Sequence, residues 1–304
     1  MAIIIMILSA FFLSMANLCM KRSIDLGGNA KLYLVLQFSL SILVSVFCNP
    51  IRTNSYSWDH HTAIVGIVCG FFFGGMIYAA SRALEDGPPG LTFTAMNSAT
   101  VTPGIIMGFL FGRSFGHPYN IFHFIGSILV IFGLLKAVSH QKDLSRNKRW
   151  LFFAASSFAM HVFVIVIMQW RALMMKANLP SSILLPFYID ESHSQWFMPM
   201  LFVSATIIHF SNYLKTSKDF RLNKRVLFYG FLGGLVNGIG IFLSVKSTEI
   251  ALPWENAMIF PTFSVSLIFI TNLWGQILYK EKIHWKANLL CITGIIIGNI
   301  HIMH

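Results

Sequence analysis

The side chains best suited to bind a small molecule lie in two long apolar stretches, and Glu255 in the second stretch is the most distinctive of them. It lies in the first turn of a helix predicted over 253–279, directly after Trp254. Helical spacing places Thr262 on the same face as Glu255. A carboxylate there could pair with a cationic or zwitterionic compound or take up a proton, and the indole could stack on a ring or a cation. An interfacial tryptophan beside a glutamate favoured by a helix N-terminus explains the same pair.

A second polar group, Thr94, Asn97 and Ser98, lies in the first stretch, 90–112. The three residues share one face of the predicted helix. Asn97 both donates and accepts hydrogen bonds, which suits an amide, a sugar or an amino-acid head group. Hydrogen bonding between helices is the competing interpretation.

Each stretch also contains an internal proline, Pro103 in the first and Pro261 in the second. Proline removes one backbone hydrogen bond from a helix, which leaves a carbonyl for a ligand, water or a neighbouring hydroxyl. Apolar helices that are interrupted at corresponding places in two halves of a membrane protein indicate a transport site. We therefore interpret the two prolines as hinges of the helices that line such a site.

Further polar side chains inside apolar runs extend the predicted site. They are Asn17, Gln37, Tyr78, His161 and Asn237. A histidine in the middle of a span titrates near neutral pH and could relay protons, although a neutral, packed histidine is the alternative.

Enzyme and cofactor signatures are absent from the sequence. It contains no G-x-S-x-G, no nucleotide-binding P-loop, no H-E-x-x-H and no haem-binding cysteine pair. His60 and His61 lack the spacing of metal ligands, and the four cysteines form no C-x-x-C. We therefore expect no enzyme activity, no cofactor and no metal. Without an ATP site, uphill transport must draw on an ion gradient or on exchange.

The elements that position these residues are predicted to be membrane spans. Of the 304 residues, 56% are hydrophobic and only 11% are charged, far less charge than a soluble domain of this size carries. An apolar run of ~20 residues crosses a bilayer as a helix. Ten such runs are predicted, at 2–20, 31–49, 62–84, 90–112, 120–138, 150–172, 195–214, 226–248, 253–279 and 285–303. The expected fold is therefore an all-α integral membrane protein with ten transmembrane helices.

The formal net charge of +11 comes from Lys and Arg residues clustered between the apolar runs. This distribution indicates basic membrane flanks rather than nucleic-acid binding. We expect a small-molecule substrate and membrane lipid as partners, together with a coupling ion or a counter-substrate, and a monomer or homodimer. The expected location is a bacterial cytoplasmic membrane, which the chain crosses many times.

The ten predicted spans form two sets of five. A first repeat covers 1–138, a basic linker covers 139–149, and a second repeat covers 150–304. Because five is odd, the second set must enter the membrane in the opposite direction, so the repeat is inverted. An inverted repeat allows one central site to face either side of the membrane in turn.

A matched pair of glycine stripes supports the internal repeat. The third and eighth spans each carry glycine at every fourth residue, and such a stripe lets a neighbouring helix approach closely. The interval along the chain from Gly66 to Gly230 also separates Gly70 from Gly234 and Gly74 from Gly238. We call this interval the repeat spacing. The fifth and tenth spans carry a further glycine pair, Gly126 and Gly294.

The basic residues also predict an orientation. Of the 22 Lys and Arg residues, 17 lie at the ends of spans 1–2, 3–4, 5–6, 7–8 and 9–10, and 5 lie on the other side. Basic residues are enriched on the cytoplasmic side, which places both termini outside the cytoplasm.

Several short motifs resemble a known family. The second set of five spans ends in Leu-Tyr-Lys-Glu-Lys at 278–282 before a glycine-rich final span, and Gly-Pro-Pro-Gly at 87–90 opens the fourth span. With the internal prolines, this pattern resembles the drug/metabolite transporter superfamily, in particular its ten-helix EamA-type carriers, over nearly the whole chain. The resemblance implies a cavity surrounded by spans 1–4 and 6–9, with spans 5 and 10 at the periphery. It also implies cytoplasmic termini, contrary to the charge distribution, and the chain has Gly112-Arg113 where the family commonly has Gly-Glu.

These observations predict a secondary transporter that moves a small polar, zwitterionic or cationic metabolite by alternating access around a midplane cavity. Amino acids, nucleoside-like compounds and S-adenosylmethionine-type cations fit the predicted side chains. The competing interpretations are a membrane-embedded enzyme that acts on a lipid-borne substrate, and a channel or an assembly subunit.

Overall fold

The computed structural model describes residues 1–87, 89–112, 119–139, 148–176, 183–216, 223–280 and 285–298. Within these ranges the chain is helical and contains no β-strand. The α-helices are α1 Ala2–Asp25, α2 Ala30–Val46, α3 His60–Asp86, α4 Pro89–Asn97, α5 Thr102–Leu110, α6 Ile121–Ser139, α7 Lys148–Met174, α8 Phe197–Thr216, α9 Lys224–Ile250, α10 Ile259–Tyr279 and α11 Trp285–Gly298.

Seven of the helices in the described part of the chain are long and apolar enough to cross a membrane. Five of them are the single helices α1, α3, α7, α9 and α10. The other two are α2 together with the π-helical turn Phe47–Ile51 that follows it, and α8 together with the short helix Glu191–Trp196 that precedes it. The chain is thus a multi-pass membrane protein. The other three predicted spans correspond to the pair α4–α5, to α6 and to α11, and the last two are apolar but shorter over the residues described.

Polar residues in the connections fix where several helices begin. The Asp59 carboxylate accepts a hydrogen bond from the Thr62 N–H at 2.7 Å and caps α3. Asn29 caps α2 and Asn223 caps α9 in the same way. Side chains of this kind satisfy the backbone N–H groups that the first turn of a helix leaves without partners. The linker predicted over 139–149 overlaps the last residue of α6 and the first two residues of α7, and its residues 140–147 lie outside the described part.

The apolar stretch 90–112 is broken as the sequence predicts. A short 3₁₀ turn, Ser98–Val101, separates α4 from α5, and Pro103 is the second residue of α5. Local hydrogen bonds hold the break, because the Asn97 Nδ2 donates to the Phe93 carbonyl at 2.7 Å and the Thr100 hydroxyl donates to the Asn97 carbonyl at 2.8 Å.

The corresponding break in the second half lies at a different place from the one expected. The helix predicted from residue 253 begins at Ile259, so Pro261 lies in its first turn, where the missing N–H leaves no hydrogen bond unmade. Residues 252–258 form turns instead, with the Glu255 N–H bonded to the Leu252 carbonyl at 2.9 Å. The Glu255 side chain stabilises these turns, because it accepts a hydrogen bond from the Leu252 N–H at 3.0 Å.

The glycine stripes lie where helices from the two halves cross. A Cβ atom at Gly70 of α3 would fall on the Leu201 carbonyl of α8. A Cβ atom at Gly234 of α9 would lie 2.5 Å from the Gln37 carbonyl of α2. Neither crossing leaves room for a side chain, so both stripes provide the close approach expected of them. Gly126 of α6 and Gly294 of α11 pack on each other in the same manner.

The helices are arranged so that most packing joins the first half of the chain to the second. Helix α1 packs on α9 and α10, α3 packs on α7 and α8, α2 packs on α8 and α9, and α6 packs on α11. Helices α1 and α9 are antiparallel, since Ser247 of α9 bonds the Ala2 carbonyl and Ser9 bonds the Gly240 carbonyl. We call the end that contains Met1 and the last turns of α2, α7 and α9 the amino-terminal face. The end that contains the last turns of α1, α3 and α10 is the opposite face.

Candidate functional site

A small central cavity of about 50 Å³ lies among α1, α3, α4, α7, α9 and α10. Most of its wall is apolar, with Phe73, Met96 and Phe260 among the residues that form it. Five polar side chains interrupt that wall: Asn17, Asn97, His161, Asn237 and Ser244. Among the residues described, α2, α6, α8 and α11 contribute nothing to the lining. This volume holds a few water molecules but no metabolite, because it is several times smaller than the ~300 Å³ or more of a typical ligand pocket.

The hydrogen bonds around the cavity determine which atoms are left for a ligand. The His161 Nδ1 lies 3.0 Å from the Met96 carbonyl, so that nitrogen carries the proton and donates. In the neutral ring the Nε2 is then an acceptor. The Asn237 Nδ2 donates to the Ser41 hydroxyl at 3.1 Å, and the Asn97 Nδ2 is used within α4, so both amides keep a free oxygen. The cavity is therefore rich in acceptors.

Asn17 differs from the other polar residues of the lining. It is 8% exposed, and its side chain has no hydrogen-bond partner among the described residues. A buried polar group without a partner costs roughly 1–3 kcal/mol, so such groups usually meet water or a ligand. Asn17 is thus the cavity residue with the most unused hydrogen-bonding capacity.

Side-chain hydrogen bonds connect helix α10 to the break after α4 and, further along, to α1. The Ser264 hydroxyl of α10 donates to the Asn97 carbonyl at 2.6 Å, which occupies one of the carbonyls at the break. Further along α10, the Trp274 N–H donates to the Ser14 hydroxyl of α1 at 2.8 Å, and Ser14 also bonds Thr271. The two stretches singled out by their prolines therefore meet, with Gly104 of α5 close against Ala257.

The structure brings together four of the predicted site residues, Asn17, Asn97, His161 and Asn237, at the cavity. The remaining predicted residues lie away from the lining. Gln37 is buried where α2 packs on α9, with its Oε1 lacking a partner among the described residues, and Thr262 is buried in α10 with its hydroxyl also lacking one. Tyr78 and Trp254 are half-buried, and Ser98, in the 3₁₀ turn, donates to the Ala95 carbonyl of α4. The side chain of Thr94 lies outside the described residues.

Glu255 lies near the amino-terminal face rather than in the cavity. Its side chain is 1% exposed, and its Oε2 accepts from the Leu252 N–H at 3.0 Å. The Oε1 lies 3.5 Å from the Ile3 N–H and 3.4 Å from the amino group of Met1. These backbone donors hold the carboxylate between the start of α1 and the turns before α10.

A second and larger cavity, of about 220 Å³, lies at the amino-terminal face. In the sequence, Arg171 is only one of the basic residues that predict the orientation. In the structure its side chain is 2% exposed and lies at the floor of this cavity. Its Nη2 lies 2.8 Å from the Glu249 carboxylate, and Lys246 lies 3.1 Å from the same group. An arginine inside the predicted span 150–172 was the signal that could have found it, because a charge within a span is rarely there without a role.

A cluster of possible metal ligands lies at the start of α3. The ligand atoms of Asp59, His60 and His61 lie within 4.8 Å of one another. Partial burial raises the pKa of Asp59, but hydrogen bonds from Thr62 and His61 outweigh burial and leave the pKa below its ordinary value. One carboxylate oxygen is committed to the Thr62 N–H, so Asp59 serves first as a helix cap.

Comparison with known proteins gives a fold and no family. No family model matches the chain, and no curated protein matches it in sequence. Among solved structures, 24 chains match. One of them, described only as the crystal structure of a protein, superposes with a TM-score of 0.61 over 96% of each chain at 11% sequence identity. Nearly the whole chain therefore shares its fold with a protein of very different sequence.

Proposed function

We propose that this chain is a secondary carrier of a small metabolite, built from ten spans in two inverted five-helix repeats. In this proposal α4 and α5 together form the fourth span, and α6 and α11 form the fifth and tenth. The same arrangement is what the resemblance to the drug/metabolite transporter superfamily implies.

The pairing of helices supports the repeat. If spans 1–5 correspond to spans 6–10, then α1 corresponds to α7, α2 to α8, and α3 to α9. Helix α1 packs on α9, and its counterpart α7 packs on α3. Helix α2 packs on α9, and its counterpart α8 packs on α3. Helices α2 and α8, and likewise α6 and α11, pack on their own counterparts, as an axis between two repeats requires.

The observation that carries the proposal is that positions related by the repeat spacing both line the cavity. Phe73 and Ile77 of α3 line it, and so do Asn237 and Ile241 of α9, each of them one repeat spacing further along the chain. The same interval relates the two glycine stripes. Equivalent positions of the two halves thus face one central space, the geometry from which an alternating-access carrier exposes a site to either side.

The lining also bears on the kind of substrate. It contains amide, imidazole and hydroxyl groups in an apolar wall and, among the described residues, no charged side chain. Such a lining suits an uncharged or zwitterionic compound with an apolar portion better than a simple cation. Because the cavity holds no more than water in this conformation, loading requires the two halves to move apart, and the break between α4 and α5 is the natural place for that movement.

Uptake into liposomes tests the proposal. Purified protein in proteoliposomes is tested with radiolabelled amino acids, nucleosides and S-adenosylmethionine, with and without the same compound inside. We expect saturable uptake of one of them, accelerated by internal compound, and a loss of roughly tenfold or more in Asn17→Leu. Thr206→Val, on α8 and away from the lining, is the control and keeps wild-type uptake. Non-saturating flux would indicate a channel, and chemical conversion of lipid an enzyme; either result contradicts the proposal.

A further inference from the structure

We propose that the cavity at the amino-terminal face is a binding site for a small organic carboxylate, separate from the central cavity. Its walls come from the end of α2, the end of α7, the short helix Glu191–Trp196, the start of α8 and the end of α9. We call it the vestibule site.

The charges of the vestibule site favour an anion. It is lined by three cationic side chains, Arg52, Arg171 and Lys246, and by two carboxylates, Glu191 and Glu249. Glu249 pairs with Arg171 and with Lys246, and Lys246 lies 3.8 Å from Glu191. Arg52 uses its Nε on the Cys48 carbonyl and has no carboxylate partner among the residues described. One positive charge is therefore left for a ligand.

The buried arginine has unused hydrogen-bonding capacity as well. The Nε of Arg171 is buried and has no hydrogen-bond partner in the described part of the chain. Its Nη2 reaches the Ser194 carbonyl only at 3.5 Å. A guanidinium group presents a planar set of donors that matches a carboxylate, and the pairing is strong where water is excluded. Arg171 at the floor and Arg52 at the mouth thus provide two anchors of this kind.

Apolar groups line the space beside these cations, which favours an organic anion over a simple inorganic one. The Arg171 guanidinium lies 4.5 Å from the centre of the Phe197 ring, and the Arg52 guanidinium lies 5.4 Å from the centre of the Phe242 ring. Met198 and Val245 complete the apolar part of the wall. A compound with a carboxylate and a hydrophobic ring or chain matches both kinds of surface.

The equivalent corner of the opposite face serves as an internal comparison. Arg82 and Glu85 of α3 lie one repeat spacing before Lys246 and Glu249 and form the same kind of pair, 2.9 Å apart. There Arg149 bonds both Glu85 and Asp86, so among the described residues of that corner two arginines meet two carboxylates and their charges balance. The surplus cation is thus a property of the vestibule site and not of the repeat.

Binding of phenylacetate to the purified protein tests the inference. Phenylacetamide has the same shape without the charge, and acetate has the charge without the ring. By calorimetry in detergent micelles we expect phenylacetate to bind at least tenfold more tightly than either compound. Arg52→Gln should weaken phenylacetate binding roughly tenfold, because one charge-assisted hydrogen bond is lost. Arg52 is exposed, so this variant is expected to fold, and Arg82→Gln on the opposite face is the matched control with wild-type affinity.

Glu249→Gln supplies a result of the opposite sign. It releases Arg171 from its internal partner, so phenylacetate should bind roughly tenfold more tightly and raise the melting temperature more than in the wild-type protein. Equal binding of phenylacetate and phenylacetamide, or equal effects of Arg52→Gln and Arg82→Gln, would overturn the inference. Because binding is measured without a gradient, its failure leaves the proposed transport untouched, and a failure of transport leaves the vestibule site untouched.

Discussion

Individual amide groups in an apolar wall determine what the central cavity can hold, and Asn17 and Asn237 offer a matched comparison. Asn17 has no partner among the described residues, whereas Asn237 bonds Ser41. Replacing Asn17 with leucine therefore removes an unsatisfied polar group and should leave the melting temperature unchanged or higher. Asn237→Leu should lower the stability by about 1 kcal/mol, because a hydrogen bond is lost.

Uptake and thermal unfolding measured on the same two variants separate binding from packing. If Asn17 is a ligand group, Asn17→Leu loses transport while remaining stable, a combination typical of functional residues. A large loss of stability in Asn17→Leu would show instead that the side chain has a structural partner.

Glu255→Gln distinguishes a structural carboxylate from a substrate-binding one. The substitution keeps the shape but removes the charge that accepts from the Leu252 and Ile3 N–H groups. Hydrogen bonds to charged groups contribute roughly 1.5–3 kcal/mol, so we expect a clearly lower melting temperature. Uptake per folded molecule should keep its KM, because the side chain lies away from the cavity lining. A raised KM at unchanged stability would favour the cation-binding role predicted from the sequence.

At this scale, residue type in an apolar run predicted part of the site. Asn17, Asn97, His161 and Asn237, which line the cavity, stand out because a membrane span rarely contains polar groups without a use. The same reasoning also selected Gln37 and Tyr78, which lie off the lining. Polarity shows that a side chain needs a partner, but only the three-dimensional arrangement shows whether that partner is another helix or a cavity.

Among the helices, the glycine crossings make the sharpest prediction. A Cβ atom at Gly70 would fall on the Leu201 backbone, which cannot move without shifting α8. A Cβ atom at Gly75 of the same helix would meet the sulfur of Met160, the far end of a flexible side chain. We therefore expect Gly70→Ala to destabilise the protein by about 1–3 kcal/mol, while Gly75→Ala is nearly neutral. Thermal unfolding in detergent checks the pair, and equal effects of the two would show that α3 and α8 do not cross this closely.

The cap of α3 predicts a dependence on pH. Hydrogen bonds lower the pKa of Asp59 below its ordinary value of 3.8, so the ionised carboxylate stabilises the folded state above the unfolded pKa. That contribution is lost as the pH falls through the lowered pKa of the folded state. Asp59→Ala removes the cap and should cost about 1 kcal/mol at neutral pH.

Asp59→Asn keeps an acceptor for the Thr62 N–H and should cost less than Asp59→Ala at neutral pH. The difference in melting temperature between the wild-type protein and Asp59→Asn should shrink as the pH falls below about 4, because the wild-type carboxyl group then becomes neutral. A difference that stays constant from pH 7 to pH 3 would mean that the charge of Asp59 does not contribute.

The predicted helix starts agree with the structure where a local capping residue marks them. They disagree where a contact with a residue distant in the sequence determines the local structure. Asn29, Asp59 and Asn223 are recognisable caps, and the helices begin after them. The sequence predicts too early a start for α10, because a proline at residue 253 is also a good first helical residue. The Glu255 side chain stabilises the turns there through the Leu252 N–H, and its contact with the distant Ile3 N–H is one that no local pattern reveals.

At the scale of the molecule, the repeat spacing relates further pairs of residues besides the glycines of the two stripes. It also relates Phe73 to Asn237 at the cavity, and the ion pair Arg82–Glu85 to Lys246–Glu249 at the two faces. Where two matched positions carry different residue types, the two halves of the chain differ in chemistry. At the cavity, α9 has an asparagine at the position where α3 has a phenylalanine, so the two halves contribute different chemistry to one lining.

The distribution of basic residues and the family resemblance predict opposite orientations of the molecule in the membrane. The structure separates the two faces clearly, with Ser57 exposed on the amino-terminal face and Lys224 exposed at the start of α9 on the opposite face. The predicted spans assign 17 of the 22 Lys and Arg residues to the side of the membrane on which Lys224 lies, and this distribution predicts that the opposite face is cytoplasmic. The family resemblance implies the reverse.

Single cysteines on the two faces decide between these orientations. In a background with Cys48, the half-exposed native thiol, changed to serine, we introduce Ser57→Cys or Lys224→Cys and treat intact cells with a membrane-impermeant maleimide. If the charge distribution sets the orientation, Ser57→Cys is labelled in intact cells and Lys224→Cys only after permeabilisation. The opposite pattern would place the vestibule site in the cytoplasm, and a carboxylate bound there would then be a cytoplasmic metabolite rather than an external compound. Labelling of both variants in intact cells would mean that the two faces do not lie on different sides of the membrane, and would contradict the assignment of the seven long apolar helices as spans.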